Sequence, residues 1–216
     1  MSKKAILIGA TGLIGFNLLE KLLIDETYAQ ILVISRKPLA ITNSKLKQLI
    51  IDFDELTKYA DQIIGDDVFC CLGSTIKKTP DLMLYRKIDY QYPLVVAKIA
   101  FANGAKQYHL VSAMGADINS RLFYSRTKGE VERDLRQIPF RSIHIYRPAL
   151  LDGLRLEERR HENSLIRIMR FINPILIGPL RKYRSIKIEK VADAMLAKAN
   201  TNLQGFHIYT SDQIAE

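Results

Sequence analysis

The stretch ILIGATGLIGFNLL, residues 6–19, constrains this chain more than any other, because Gly9, Gly12 and Gly15 stand between two different apolar patterns. Before them, AILI (5–8) reads as a short buried strand. After them, LIGFNLLEKLLI repeats Leu13, Phe16, Leu19 and Leu23 at helical spacing, which predicts a helix. Glycine at these three positions has three physical uses: a tight turn, close backbone approach to a pyrophosphate, and close packing of helix on strand. The helix start adds free N–H groups and the positive end of its dipole. Thr11, Leu13 and Ile14 lie among these glycines and are expected to touch the same ligand. A plain tight turn is the other reading, but a triplet that opens a strand–helix unit favours the nucleotide.

The pattern then repeats. ILVIS (31–35), LIID (49–52), DVFCCLG (67–73), QYHLVS (107–112) and RSIHIYRP (141–148) are runs with apolar residues on both faces, as in strands covered by helices on two sides. YPLVVAKIAFANGAK supplies a helix with Leu94, Ala97 and Phe101 on one face, ended by Gly104. This alternation predicts an α/β fold with a doubly wound parallel sheet, a Rossmann core over residues 1–150. Residues 151–216 are left for a small C-terminal extension on the substrate side of the same domain. It holds a short amphipathic helix in NSLIRIMRFIN, with Leu165, Ile168, Met169 and Ile172 inward, then a helix over 191–199 and a closing strand over 205–209. So short a region disfavours a bulky substrate.

In such sheets ligands lie beyond the carboxyl ends of the strands. The second strand ends in Ser35, Arg36 and Lys37, where a nicotinamide site for NAD(H) usually carries a carboxylate to bind the ribose 2′-hydroxyl. A guanidinium and an ammonium suit a 2′-phosphate, so NADP(H) is expected to bind tighter than NAD(H); a solvated surface arginine is the plainer reading of Arg36. Asp52 and Phe53 close the third strand, where a carboxylate can accept from an adenine amino group, although Asp52 serves equally as an ordinary loop residue. Leu72, Gly73, Ser74 and Thr75 follow the fourth strand, where small residues let backbone approach the ribose.

Tyr124 and Lys128, in YSRTKGEVE, stand four apart and would share one helix face. Spacing alone does not make a proton-transfer device, because Tyr183 and Lys187 repeat it. Context separates the pairs. Ser112 ends the fifth strand 12 residues before Tyr124, which puts a hydroxyl at the same sheet edge as the nucleotide. Tyr183 and Lys187 lie in KYRSIKI, where Ile186 and Ile188 alternate as in a strand.

Other signals bound the class. The adjacent Cys70 and Cys71 cannot staple loops together and read as core packing, which favours a reducing, cytoplasmic home. No run reaches the length of a membrane span, and the four histidines form no ligand-spaced cluster, so no metal site is expected. His144, between Ile143 and Ile145, reads as structural. Between Arg121 and Lys190 there are 17 Lys+Arg against 8 Asp+Glu, and the remainder holds 15 against 15, so the whole net charge of +9 lies there. An anion-binding face and a solvated basic surface both fit; nucleic acid is disfavoured, because aromatic interleaving is lacking.

GATGLIG, FCCLGST, HLVSAMGA and YSRTKGEVE, in this order and at these intervals, resemble the short-chain dehydrogenase/reductase superfamily. More narrowly they resemble its atypical branch of Tat-interacting-protein-like NADPH-binding proteins. The resemblance implies a catalytic Ser112, Tyr124 and Lys128: Tyr124 as proton donor with its pKa lowered by Lys128, Lys128 also on the nicotinamide ribose, and Ser112 on the substrate oxygen. YRPALLDG resembles the segment that covers the nicotinamide, which implies contacts from Pro148, Ala149, Leu150 and Leu151. One departure stands out: where many members carry an asparagine before the fifth strand, RKIDYQYP offers Asp89. The expectation is reduction of a small carbonyl or similar electrophile by NADP(H). An NADPH-sensing module that reports to a protein partner is the alternative, and oligomeric state stays open.

Overall fold

The computed structural model describes residues 2–152 and 173–216. Its main sheet has seven strands in the order β3-β2-β1-β4-β5-β6-β9, every neighbouring pair parallel. The strands are β1 (Lys3–Ile8), β2 (Tyr28–Ser35), β3 (Leu46–Ile50), β4 (Asp67–Cys70), β5 (Gln107–Val111), β6 (Ser142–Arg147) and β9 (Gly205–Thr210). The order reverses between β1 and β4, which opens a crevice beyond their carboxyl ends. A separate parallel pair joins β7 (Leu151–Asp152) to β8 (Ile186–Lys187).

Helices cover both faces, which is why the central strands are apolar throughout rather than alternating. One core lies under α3 (Tyr92–Ala102) and α4 (Phe123–Leu135), built on Ile6, Ile8, Val68, Cys70, Tyr108 and Leu110. The other lies under α1 (Leu13–Ile24) and α5 (Ile188–Ala199), built on Leu7, Val33, Phe69 and Tyr146. The parity of each strand decides which side chain joins which core. A short helix, α6 (Ser211–Ala215), ends the chain behind a capping box on Thr210 and Gln213.

The doubly wound parallel sheet is as the sequence reads, with local differences. α1 turns Ile14, Leu18, Leu19 and Leu22 inward and leaves Phe16 44% exposed. Apolar residues on nearly every side of this helix leave its inner face to be chosen by the sheet. The run 49–52 pairs only through Ile50, because the Asp52 side chain accepts from Asp54 N and starts a 3-10 stretch over Phe53–Gln62. Ile188 begins α5, so the alternation around Tyr183 yields only the two residues of β8. Within residues 173–216, α5 packs into the core it shares with α1 and β9 closes one sheet edge. The helix expected around Leu165–Ile172 lies outside the described residues.

Candidate functional site

Gly9, with φ of +84°, sits just past β1 at the crevice. A Cβ there would lie 2.5 Å from the Cys71 carbonyl carbon, and one on Gly15 would lie 2.2 Å from the Gly9 carbonyl oxygen. These two glycines are required by the protein itself. Gly12 differs: a Cβ would meet only Gly9 O, at 3.3 Å, and the residue is exposed as the N-cap of α1. No side chain caps α1 and its first turn has no acidic residue, so its start is left as a cradle for an anion. Thr11 is exposed beside it, Leu13 half-buried and Ile14 buried. The residues present fit a dinucleotide diphosphate.

The flanking strand ends divide. Arg36 and Lys37 are exposed beyond β2, with Ser35 Oγ donating to the Lys37 carbonyl at 2.8 Å. Asp52 is exposed, whereas the Phe53 ring is committed to the core and meets the Tyr92 ring at a tilt, 5.3 Å between centroids. Leu72 is half-buried and Gly73 exposed. Ser74 and Thr75 are drawn into a turn in which Ser74 Oγ lies 2.7 Å from Thr79 Oγ1 and Thr75 O accepts from Lys78 N and Thr79 N. Past β6, Pro148 O accepts from Met114 N, Ala149 N donates to Ser211 Oγ at 2.7 Å, and Leu150 O accepts from Ile186 N. Leu151 begins β7. The segment Pro148–Leu151 is thereby pinned from three sides.

Tyr124, Lys128 and Glu132 recur every four residues on one face of α4. Lys128 is buried, its Nζ 2.8 Å from Asp89 Oδ1, and the Asp89 Oδ2 accepts from Ser74 N at 2.8 Å. A Cβ on Gly73 would lie 3.5 Å from Asp89 Oδ1 and 3.6 Å from Lys128 Nζ, so this pair lies directly beneath the β4 loop. The Tyr85 ring stands 6.3 Å from that of Tyr124. Its buried hydroxyl makes no well-formed hydrogen bond among the described residues, and burial, then the nearby Asp89 carboxylate, raises its pKa.

Electrostatics alter one expectation. Burial raises the Tyr124 pKa; Lys128 pulls it down and Asp89 pushes it up again, for a net rise. The expected lowering is absent chiefly because burial outweighs the pull of Lys128, with Asp89 adding to the rise. For Lys128 itself burial acts downward, but Asp89 and Tyr124 outweigh it and the amine is held above its ordinary value.

Ser112 bonds to the next turn of the same helix. Strand parity turns it toward α4, where its buried hydroxyl donates to Glu132, a carboxylate that also accepts from Arg147 Nε at 3.1 Å. Tyr183 is exposed in a 3-10 turn and Lys187 exposed in β8, so that pair forms no site. Tyr85 and Glu132 escaped the sequence reading, although Glu132 continues the four-residue spacing from Lys128. Among the described residues no His, Cys, Asp and Glu group is placed to hold a metal, and no helix is long and apolar enough to cross a membrane.

No protein-family model matches the chain. Protein HTATIP2 of Rattus norvegicus is 34% identical over 165 residues, 74% of this chain and 68% of that protein. The chain belongs to the HTATIP2 family of atypical short-chain dehydrogenases/reductases. A second relative, the mitochondrial protein FMP52 of Candida albicans, is 32% identical over 74% of this chain and 72% of its own length. Its mitochondrial designation is not what the cytoplasmic expectation foresees. The fold of the HTATIP2-like chain is shared with solved structures. A short chain dehydrogenase family protein from Francisella tularensis superposes with a TM-score of 0.66 at 16% identity, all of both chains covered. MoeE5 in complex with UDP-glucose and NAD gives 0.71 at 14%, covering 98% of this chain and 79% of that one. The fold is thus shared with a short chain dehydrogenase family protein and with a protein solved with NAD bound.

Proposed function

We propose that this HTATIP2-like protein is an NADP(H)-dependent reductase of a small carbonyl compound, with Tyr124 as proton donor. The observation that carries the reading is the Tyr124–Lys128–Asp89 cluster, held beneath Gly73 on the crevice side of β4. When bound, the cofactor supplies the hydride. Gly9, Gly12, Gly15 and the start of α1 hold the diphosphate, and exposed Arg36 and Lys37 favour a 2′-phosphate over a bare hydroxyl. The Tyr124 phenol gives its proton to the carbonyl oxygen as the carbonyl carbon becomes tetrahedral, leaving an alcohol. Lys128 hydrogen-bonds the nicotinamide ribose and steadies the phenolate so formed. The Ser112 hydroxyl acts on the substrate only if it leaves Glu132. The location is taken as cytoplasmic, a point that cell fractionation decides against a mitochondrial one.

NADPH oxidation across a panel of small aldehydes and ketones tests the proposal. Turnover that Tyr124→Phe abolishes while NADPH binding survives supports it. Tight NADPH binding with no turnover on any substrate favours a second reading, an NADPH-sensing module that signals to a protein partner. One observation speaks for that reading: the hydroxyl of Ser112 is already donated to Glu132.

A further inference from the structure

Residues 82–102 make one helical run, α2 (Leu82–Arg86) passing into α3, interrupted by a single π-type turn at Lys87–Gln91. Such a turn carries an extra residue and re-aims the side chains within it; it recurs at functional sites. Here it contains Asp89, which is 1% exposed and reaches α4 to meet Lys128. The amide of Ser74 fixes the other carboxylate oxygen from the β4 loop. Three separate parts of the fold therefore converge to place one negative charge. A buried ion pair is a poor source of stability, since desolvation offsets most of the attraction. The arrangement calls for another reason.

The phenols supply it. Four groups meet here: Asp89 from the π turn paired with Lys128 of α4, and Tyr124 of α4 with its ring 6.3 Å from that of Tyr85 on α2. An unpaired ammonium one turn from a phenol would stabilise the phenolate and so favour loss of the phenol proton to solvent. Burial already favours the neutral phenol, and with Asp89 at 2.8 Å the ammonium that opposes it is compensated. Resting on the reading of Tyr124 as proton donor, we propose that Asp89 is a positioning residue that fixes and neutralises Lys128, so that Tyr124 stands as an acid and the protein is set for carbonyl reduction.

The test needs neither cofactor nor substrate. Protein carrying tyrosine labelled with ¹³C at Cζ is titrated by NMR, and the Tyr124 signal is assigned by its loss in Tyr124→Phe. In Asp89→Asn, removal of the negative charge lowers the proton affinity of the whole cluster, and the Tyr124 signal should move about one pH unit or more below its wild-type position. An unchanged titration in folded Asp89→Asn overturns the proposal, even where NADPH is oxidised. A downward shift supports it, even where no carbonyl is turned over. Should Asp89→Asn fail to fold, Lys128→Met is compared with the double variant Lys128→Met/Asp89→Asn, which removes both charges together. A lower titration in the double variant supports the proposal, and coincident titrations overturn it.

Discussion

Ser112 and Glu132, twenty residues apart, are joined by a hydrogen bond from the serine hydroxyl to a carboxylate only 4% exposed, which Arg147 also clasps. This ties the end of β5, the middle of α4 and the end of β6 into one unit. Ser112→Ala should therefore cost stability, about 1.5–3 kcal/mol for a bond to a charged acceptor. Glu132→Ala should cost more, toward the lower end of the roughly 3–5 kcal/mol seen when a buried pair loses one partner, because Arg147 keeps some water contact. Urea unfolding measures both. A kcat for Ser112→Ala that falls by about a hundredfold or more, with stability unchanged, would show that the hydroxyl works on the substrate instead.

The glycines of the opening turn should separate into two kinds. Gly15→Ala sets a methyl carbon 2.2 Å from the Gly9 carbonyl oxygen, an overlap with rigid backbone. Its expected penalty is at or above the roughly 1–3 kcal/mol usual for overpacking, whether or not ligand is present. Gly12→Ala meets only a 3.3 Å contact and has an extended backbone at φ −84°. It should stay within about 1 kcal/mol of the parent. Its methyl nonetheless stands where a diphosphate would approach, so NADPH affinity should fall roughly tenfold or more. Thermal unfolding and calorimetric titration together distinguish the two.

Cofactor preference should rest on Arg36. The residue is exposed past the end of β2. Arg36→Ala should weaken NADPH binding by about 1.5–3 kcal/mol, the loss of a charge-assisted bond, or roughly 10- to 150-fold in Kd. NADH lacks the 2′-phosphate, and its Kd should change less than about threefold. Equal loss for both cofactors would assign Arg36 to some other contact.

What was legible in the sequence was local. The glycine triplet, the strand-length apolar runs and the Tyr124–Lys128 spacing each speak within a dozen residues, and the fold and the shared face of that pair follow from them. The inner face of α1 was not legible, because Leu13, Phe16 and Leu23 compete with Ile14, Leu18 and Leu22 and only the sheet chooses. Nor was the π turn, since nothing in KIDYQ distinguishes it from plain helix; the orientation of Asp89 depended on it. The Ser112–Glu132 pairing and the net charge felt by Tyr124 are long-range facts, set by which helix face meets which strand.

His109, His144 and His207 stand in register across β5, β6 and β9, with the first two rings stacked at 4.6 Å. His144 lies between Ser142 Oγ and the Tyr209 hydroxyl, and His109 Nδ1 is 3.1 Å from the Tyr146 hydroxyl. Burial, then the neighbouring His207 and Lys198, lowers the His144 pKa to about 4; burial, then His144 and Lys3, holds His109 well below its ordinary value. Both rings are therefore neutral in the fold and take up protons more readily once unfolded. Their contribution to stability is present above the unfolded pKa of about 6.5 and is lost as pH falls toward the folded values, by up to about 1.4 kcal/mol per pH unit for each ring. Urea unfolding at pH values between about 7 and 5 should show this decline. His144→Gln, which carries no titrating ring, should flatten it; an unaltered slope in that variant would assign the acid sensitivity elsewhere.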